Sequence, residues 1–137
     1  MELEPYLFFQ GGKCEEALNF YKGLFGGEIT SIMRWKEMPP EMEMPAGSGE
    51  LIMHSNFKSP TIKFMASDAR PTTQYGDGPI SLCLGTKDAA EAKRVFDGLS
   101  AGGKVEMPLD NSFWGAMFGM LTDKYGIDWM INCELPE

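Results

Sequence analysis

Glu16-Ala17-Leu18-Asn19-Phe20-Tyr21-Lys22-Gly23-Leu24-Phe25-Gly26-Gly27 returns later in the chain as Glu91-Ala92-Lys93-Arg94-Val95-Phe96-Asp97-Gly98-Leu99-Ser100-Ala101-Gly102-Gly103. Glu-Ala, an aromatic residue five positions on, Gly-Leu and a closing Gly-Gly all recur, with one residue inserted before the second Gly-Gly. Each copy follows an apolar run and precedes a second strand-like run. Self-similarity at about half the chain length indicates a duplicated supersecondary unit. Pairing two such units is expected to create a cleft between them.

Working outward from the first copy, Pro5 to Gln10 is an aromatic-rich strand stopped by Gly11-Gly12. Cys14 to Phe25 changes to helical spacing, with Ala17, Phe20, Tyr21 and Leu24 on one stripe. Gly26-Gly27 ends that helix, and Glu28 to Trp35 alternates as a strand. Lys36 to Gly49 contains Pro39, Pro40 and Pro45 with Met38, Met42 and Met44, and is too long for a simple connector. It reads either as a lid of adaptable thioethers or as an acidic loop. Glu50 to Phe57 and Thr61 to Ser67 are two strands joined at Ser59-Pro60. The second half repeats the order: a strand over Ile80–Gly85, a helix over Asp88–Ala101, then strands over Val105–Leu109, Phe113–Thr122 and Ile127–Cys133. Asp88 is suited to cap its helix, with Glu91 completing a capping-box pair.

The result is one α+β domain over 1–137, built from two βαβββ modules at about 4–68 and 79–134, with 69–78 as linker. Each module has to bury one face of a mixed, curved sheet under its helix. The other faces are expected to enclose a central cleft.

Composition narrows the partners. Twelve Lys+Arg against twenty Asp+Glu give a formal net charge of −8, with no basic run. Nucleic acid and anionic membrane surfaces are therefore disfavoured, since both require clustered cations. Cys14, Cys83 and Cys133 are odd in number and lack CxxC spacing, which argues against a disulfide framework or a zinc site. The acidic start Met1-Glu2-Leu3-Glu4 lacks the pattern of a secretory signal. The expectation is a cytoplasmic protein.

Tyr6-Leu7-Phe8-Phe9, Glu15-Glu16-Ala17 with Phe20-Tyr21, Met53-His54, Met65-Ala66-Ser67-Asp68-Ala69, Phe113-Trp114-Gly115 and Thr122-Asp123…Gly126…Trp129 together resemble the vicinal oxygen chelate superfamily. This group holds glyoxalases, bleomycin and fosfomycin resistance proteins and extradiol dioxygenases, and the chain looks most like its PhnB-like branch. The resemblance covers essentially the whole chain and implies a glyoxalase-like fold and a homodimer. Members that do chemistry hold a divalent metal through His and Glu on the first and last strand of each module. Carried onto this sequence, those positions fall at Tyr6, near Phe64, at Ser81 and at Met130. These side chains do not suit a hard or borderline cation, and the chain has a single histidine. No metal and no cofactor are expected. Some relatives carry a label implying methyl transfer in the ubiquinone pathway. No glycine-rich loop between strand and helix is read here to hold the adenosyl portion of a methyl donor.

The first function expected is a metal-free small-molecule-binding protein, with Tyr6, Phe8, Phe64, Ser81, Trp114 and Met130 as ligand contacts. The alternative is a metal-dependent isomerase, lyase or dioxygenase; a third possibility is a module that serves mainly as a dimer or partner surface. His54 reads either as a half-buried structural histidine or as a general base. Asp68 reads either as a turn cap or as the carboxylate that orients His54. Trp129 should face the helix layer, and Cys83 and Cys133 should be buried in apolar strands. Arg34 reads as a surface ion pair or an anion contact.

Overall fold

In the computed structural model, which describes residues 1–44, 46–69, 78–112 and 115–136, the chain divides into two units, Met1–Gln74 and Tyr75–Glu137. The linker expected over 69–78 lies almost wholly outside the described residues. The first unit runs β1 (Tyr6–Phe9), α1 (Cys14–Phe25), β2 (Glu28–Arg34), β3 (Ile52–Lys58) and β4 (Lys63–Asp68). Its sheet has the order β1-β4-β3-β2, with β1 parallel to β4 and the other pairs antiparallel. The second unit runs β5 (Leu82–Thr86), α2 (Ala89–Ser100), β6 (Lys104–Asn111), β7 (Ala116–Thr122) and β8 (Asp128–Glu134). Its strand order, β5-β8-β7-β6, is the same arrangement. β6 runs past the expected end at Leu109, and accommodates Pro108 because an edge strand has backbone amides to spare.

The repeated Gly-Gly does more than end a helix. Gly26 and Gly102 take positive φ of 72° and 75°, which glycine adopts without steric cost. The second glycine of each pair sits against backbone. A Cβ on Gly27 would lie 2.7 Å from the Lys58 carbonyl oxygen, and one on Gly103 would collide with that of Thr122. The absent side chains therefore let β2 and β6 start against the far ends of β3 and β7.

Each helix covers one sheet face. In the first unit Tyr21 packs edge-on against Phe64, which stacks on Phe57 at 4.7 Å, and Phe9, Ala66 and Leu18 complete a buried layer. In the second, Trp129, Ile131, Cys133 and Leu121 are buried with Val95, Phe96 and Leu99 of α2. A Cβ on Gly119 would strike Phe96 at 2.6 Å, which fixes the face that α2 covers.

The two helices begin differently. Asp88 accepts from the amides of Ala90 and Glu91 at 3.0 and 3.1 Å, a local cap, while the Asp88 amide donates to Thr86. α1 has no side-chain cap at Lys13. Its first amide, Cys14 N, donates to Asp68 Oδ1 at 2.9 Å, from the end of β4.

The long β2–β3 connection is closed at its base. The Trp35 amide donates to Leu51, and the Lys36 amide to Gly49. Met42 and Met44 stand exposed beyond this neck.

Candidate functional site

Strand alternation sends Leu7 and Phe9 toward α1 and leaves Tyr6 and Phe8 on the opposite, open face. β4 likewise buries Phe64 and Ala66 and turns Met65 outward, where it pairs in register with Tyr6 and Asn56. Phe64, expected at the ligand, is instead 2% exposed and belongs to the helix-side core. The count along β4 is off by one residue, and in a strand one residue exchanges the faces. Met65 occupies the position assigned to Phe64.

On this open face the side chains form a continuous hydrogen-bonded row. Tyr6 Oη lies 3.0 Å from His54 Nδ1, and His54 Nε2 lies 3.0 Å from Asn56 Oδ1. Asn56 Oδ1 also accepts from Ser31 Oγ at 2.9 Å. The tautomer with its proton on Nε2 matches this oxygen, and in it Nδ1 accepts from the Tyr6 hydroxyl. Tyr6 Oη therefore keeps a free lone pair, and can accept a hydrogen bond from a hydroxyl or N–H laid against the sheet. The rings of Phe8 and His54 flank Tyr6, at 4.9 and 5.6 Å between centroids. The resulting surface is aromatic and has one polar acceptor at its centre.

Asp68 plays no part in this row. Its Oδ1 holds the Cys14 amide and its Oδ2 accepts from Ile52 N at 2.8 Å, so both oxygens serve backbone. Of the two readings of Asp68, the carboxylate that orients His54 falls away: Asn56 takes that place, with Tyr6 on the other nitrogen. Gly11 and Gly12, at φ of 68° and 71°, do form a short glycine turn between β1 and α1. This corrects the reading that no glycine-rich loop lies between a strand and a helix. The helix terminus beyond it, where an anionic ligand group would seat, is filled by Asp68.

In the second unit Met130 faces away from α2, paired with Cys83 and Met120. Ser81 is exposed and precedes the first residue of β5. Trp114 lies outside the described residues. Cys83, expected in the core, is exposed, because Leu82 and Leu84 take the α2 face. Trp129 is buried as alternation requires, but its indole Nε1 also donates to Asp123 Oδ2 at 2.8 Å. Arg34 pairs with Glu15 and donates to the Glu50 carbonyl, an exposed ion pair.

The divalent metal implied by the glyoxalase resemblance does not fit these residues. Tyr6 is engaged with His54, Phe64 is in the core, and Met65 and Met130 offer only thioethers. Among the described residues no three His, Cys, Asp or Glu side chains are grouped to hold an ion.

Cys14 is buried beside Ser55 and Asp68. Burial first, then the Asp68 charge, pushes its thiol up from 9.0 to about 12. The unfolded thiol ionises above about 9 while the folded one stays protonated. This contribution is therefore intact below pH 9 and is lost as pH rises toward 12. Urea titrations should show wild type losing about 2 kcal/mol more than Cys14→Ala between pH 8 and 11. Parallel pH profiles for the two proteins would mean that the thiol is not held neutral.

Comparison with known proteins adds the following. Residues 1–132 match the family model described as 3-demethylubiquinone-9 3-methyltransferase. The chain is 36% identical to protein YjdN of Escherichia coli K12, over 96% of this chain and 95% of that protein. A PhnB protein from Bacillus cereus superposes with a TM-score of 0.79 at 32% identity, covering 99% of this chain and all of that one. A glyoxylase/bleomycin resistance protein/dioxygenase domain from Frankia sp. EAN1pec, 8% identical, shares the fold with a TM-score of 0.68, over 98% and 97% of the two chains.

Proposed function

The chain belongs to the 3-demethylubiquinone-9 3-methyltransferase family, the PhnB-like branch of the glyoxalase-like fold, and we propose that it is a metal-free small-molecule-binding protein. Its ligand lies against the open face of the first sheet, over Phe8, Tyr6 and His54. The observation that carries this reading is the Tyr6–His54–Asn56–Ser31 row, which fixes a hydroxyl acceptor among aromatic rings. Such a surface suits a flat, uncharged or weakly polar molecule bearing one hydrogen-bond donor. Methyl transfer does not come to this chain with the family's name.

The protein acts in this reading as a homodimer in a reducing cytoplasm, in keeping with its three free cysteines. No helix among the described residues is long and apolar enough to cross a membrane.

The test is fluorescence titration with the neutral probe N-phenyl-1-naphthylamine. Saturable binding is expected, unchanged after dialysis against EDTA and weakened about tenfold by Tyr6→Ala or Phe8→Ala. Binding that does not saturate, or variants that bind like wild type, would rule the site out.

A further inference from the structure

Asn56 stands at the far end of the row from Tyr6, and only half of its amide is in use. Its Oδ1 accepts from Ser31 Oγ and from His54 Nε2, which pins the side chain. Neither N–H of its Nδ2 meets a partner among the described residues. Asn56 is half-buried, and among the described residues the buried side-chain polar atom left without a partner is Glu4 Oε1. The Asn56 NH₂ is therefore open to a ligand. The face offers an acceptor at Tyr6 Oη and donors at Asn56 Nδ2, on either side of the His54 ring. Met65, the Cα partner of both Tyr6 and Asn56, fills the strand between them with an apolar side chain.

We propose that the ligand is a planar aromatic molecule with a hydroxyl at one end and a carbonyl oxygen at the other. The hydroxyl donates to Tyr6 Oη, and the carbonyl accepts from Asn56 Nδ2. Spacing selects this class. Bonds of 3.0 Å on two ring nitrogens that point in nearly opposite directions set Tyr6 Oη and the Asn56 amide group roughly 8 Å apart. A carboxylic acid or a primary amide holds its donor and acceptor only about 2 Å apart, and reaches one of the two groups. A para-substituted benzene spans about 6–7 Å between its oxygens and reaches both, with bonds of about 3 Å, from just above the row. Its ring then lies over His54 and Met65 beside Phe8, where apolar and aromatic contact supplies affinity and the two ends supply orientation. A molecule without the carbonyl would cover the Asn56 NH₂ and leave it without water or partner, which costs affinity. This ligand class rests on the binding reading proposed above and narrows it.

The experiment is displacement of N-phenyl-1-naphthylamine from the full chain by three neutral probes. These are 4-hydroxyacetophenone, 4-methoxyacetophenone, which cannot donate, and 4-ethylphenol, which lacks the carbonyl. The first should bind about tenfold more tightly than either of the others. Tyr6→Phe should abolish its preference over 4-methoxyacetophenone, and Asn56→Leu its preference over 4-ethylphenol. A variant that merely distorts the sheet would weaken all three alike and leave both preferences in place. Preferences that survive these two substitutions would therefore overturn the assignment. Equal displacement by the three probes in wild type, or displacement by none, would overturn the ligand class while saturable binding of N-phenyl-1-naphthylamine left the face standing as a binding site. Failure of N-phenyl-1-naphthylamine itself to saturate would remove the face as a ligand site, and this ligand class with it.

Discussion

Asp123→Ala is expected to cost about 4 kcal/mol of stability, the largest effect of any single substitution considered for this chain. Asp123 is 3% exposed. Its Oδ1 accepts from the amides of Tyr125 and Ile127 at 2.8 and 3.1 Å, and its Oδ2 from the Trp129 indole at 2.8 Å. One carboxylate therefore shapes the β7–β8 turn and satisfies the only donor of a buried indole. Alanine leaves all three donors without this acceptor, and each such loss costs about 1–3 kcal/mol. Asp123→Asn should cost less, about 2 kcal/mol, because its carbonyl can still serve the two amides while its NH₂ faces the indole N–H. Urea unfolding followed by tryptophan fluorescence measures both. Equal, small shifts in the two variants would show that the hydrogen bonds contribute little net stability.

Asp68→Ala is expected to cost about 3 kcal/mol while leaving affinity for the neutral probe within about twofold of wild type. The carboxylate joins the start of α1 to the start of β3 through Cys14 N and Ile52 N. Its removal costs two charge-assisted bonds and the negative group that favours a helix N-terminus. His54 keeps Tyr6 and Asn56 and should not respond. The split between lost stability and retained binding separates a structural carboxylate from an orienting one. A variant of undiminished stability that no longer binds the probe would return Asp68 to the site.

Much of the architecture was legible in the sequence because the repeat constrains it. The twin helices were placed within a residue at either end, since periodicity, the Asp88 cap and the Gly-Gly stops all agree there. The second role of those glycines was not legible, because it depends on which backbone approaches Gly27 and Gly103. The site was read less evenly. Tyr6 and Phe8 share one face because β1 alternates plainly, whereas β3 buries Ile52 two residues before half-buried His54 and gives no such clean pattern. Phe64 was put on the wrong face, because Lys63-Phe64-Met65-Ala66 places apolar residues in succession and gives period-two reading no anchor. Cys83 failed similarly in Leu82-Cys83-Leu84. Asn56 as the partner of the histidine, and Ser31 as the partner of Asn56, are not read from the sequence. The only available signal was Asn56 standing two residues from His54 on the same strand, and Ser31 depends on β2–β3 register across a bulge. The Asp123–Trp129 bond joins a turn to a core strand, and only the folded hairpin brings them together.

The central claim is that a small molecule lies on the open face of the first sheet. The most direct measurement is an amide and methyl NMR map of the full chain titrated with N-phenyl-1-naphthylamine. Within the first unit, shifts should concentrate at Tyr6, Phe8, His54, Asn56 and the Met65 methyl, with Phe57, Phe64 and Tyr21 on the helix side little changed. Shifts centred on that helix-side layer, or scattered without regard to face, would contradict the account.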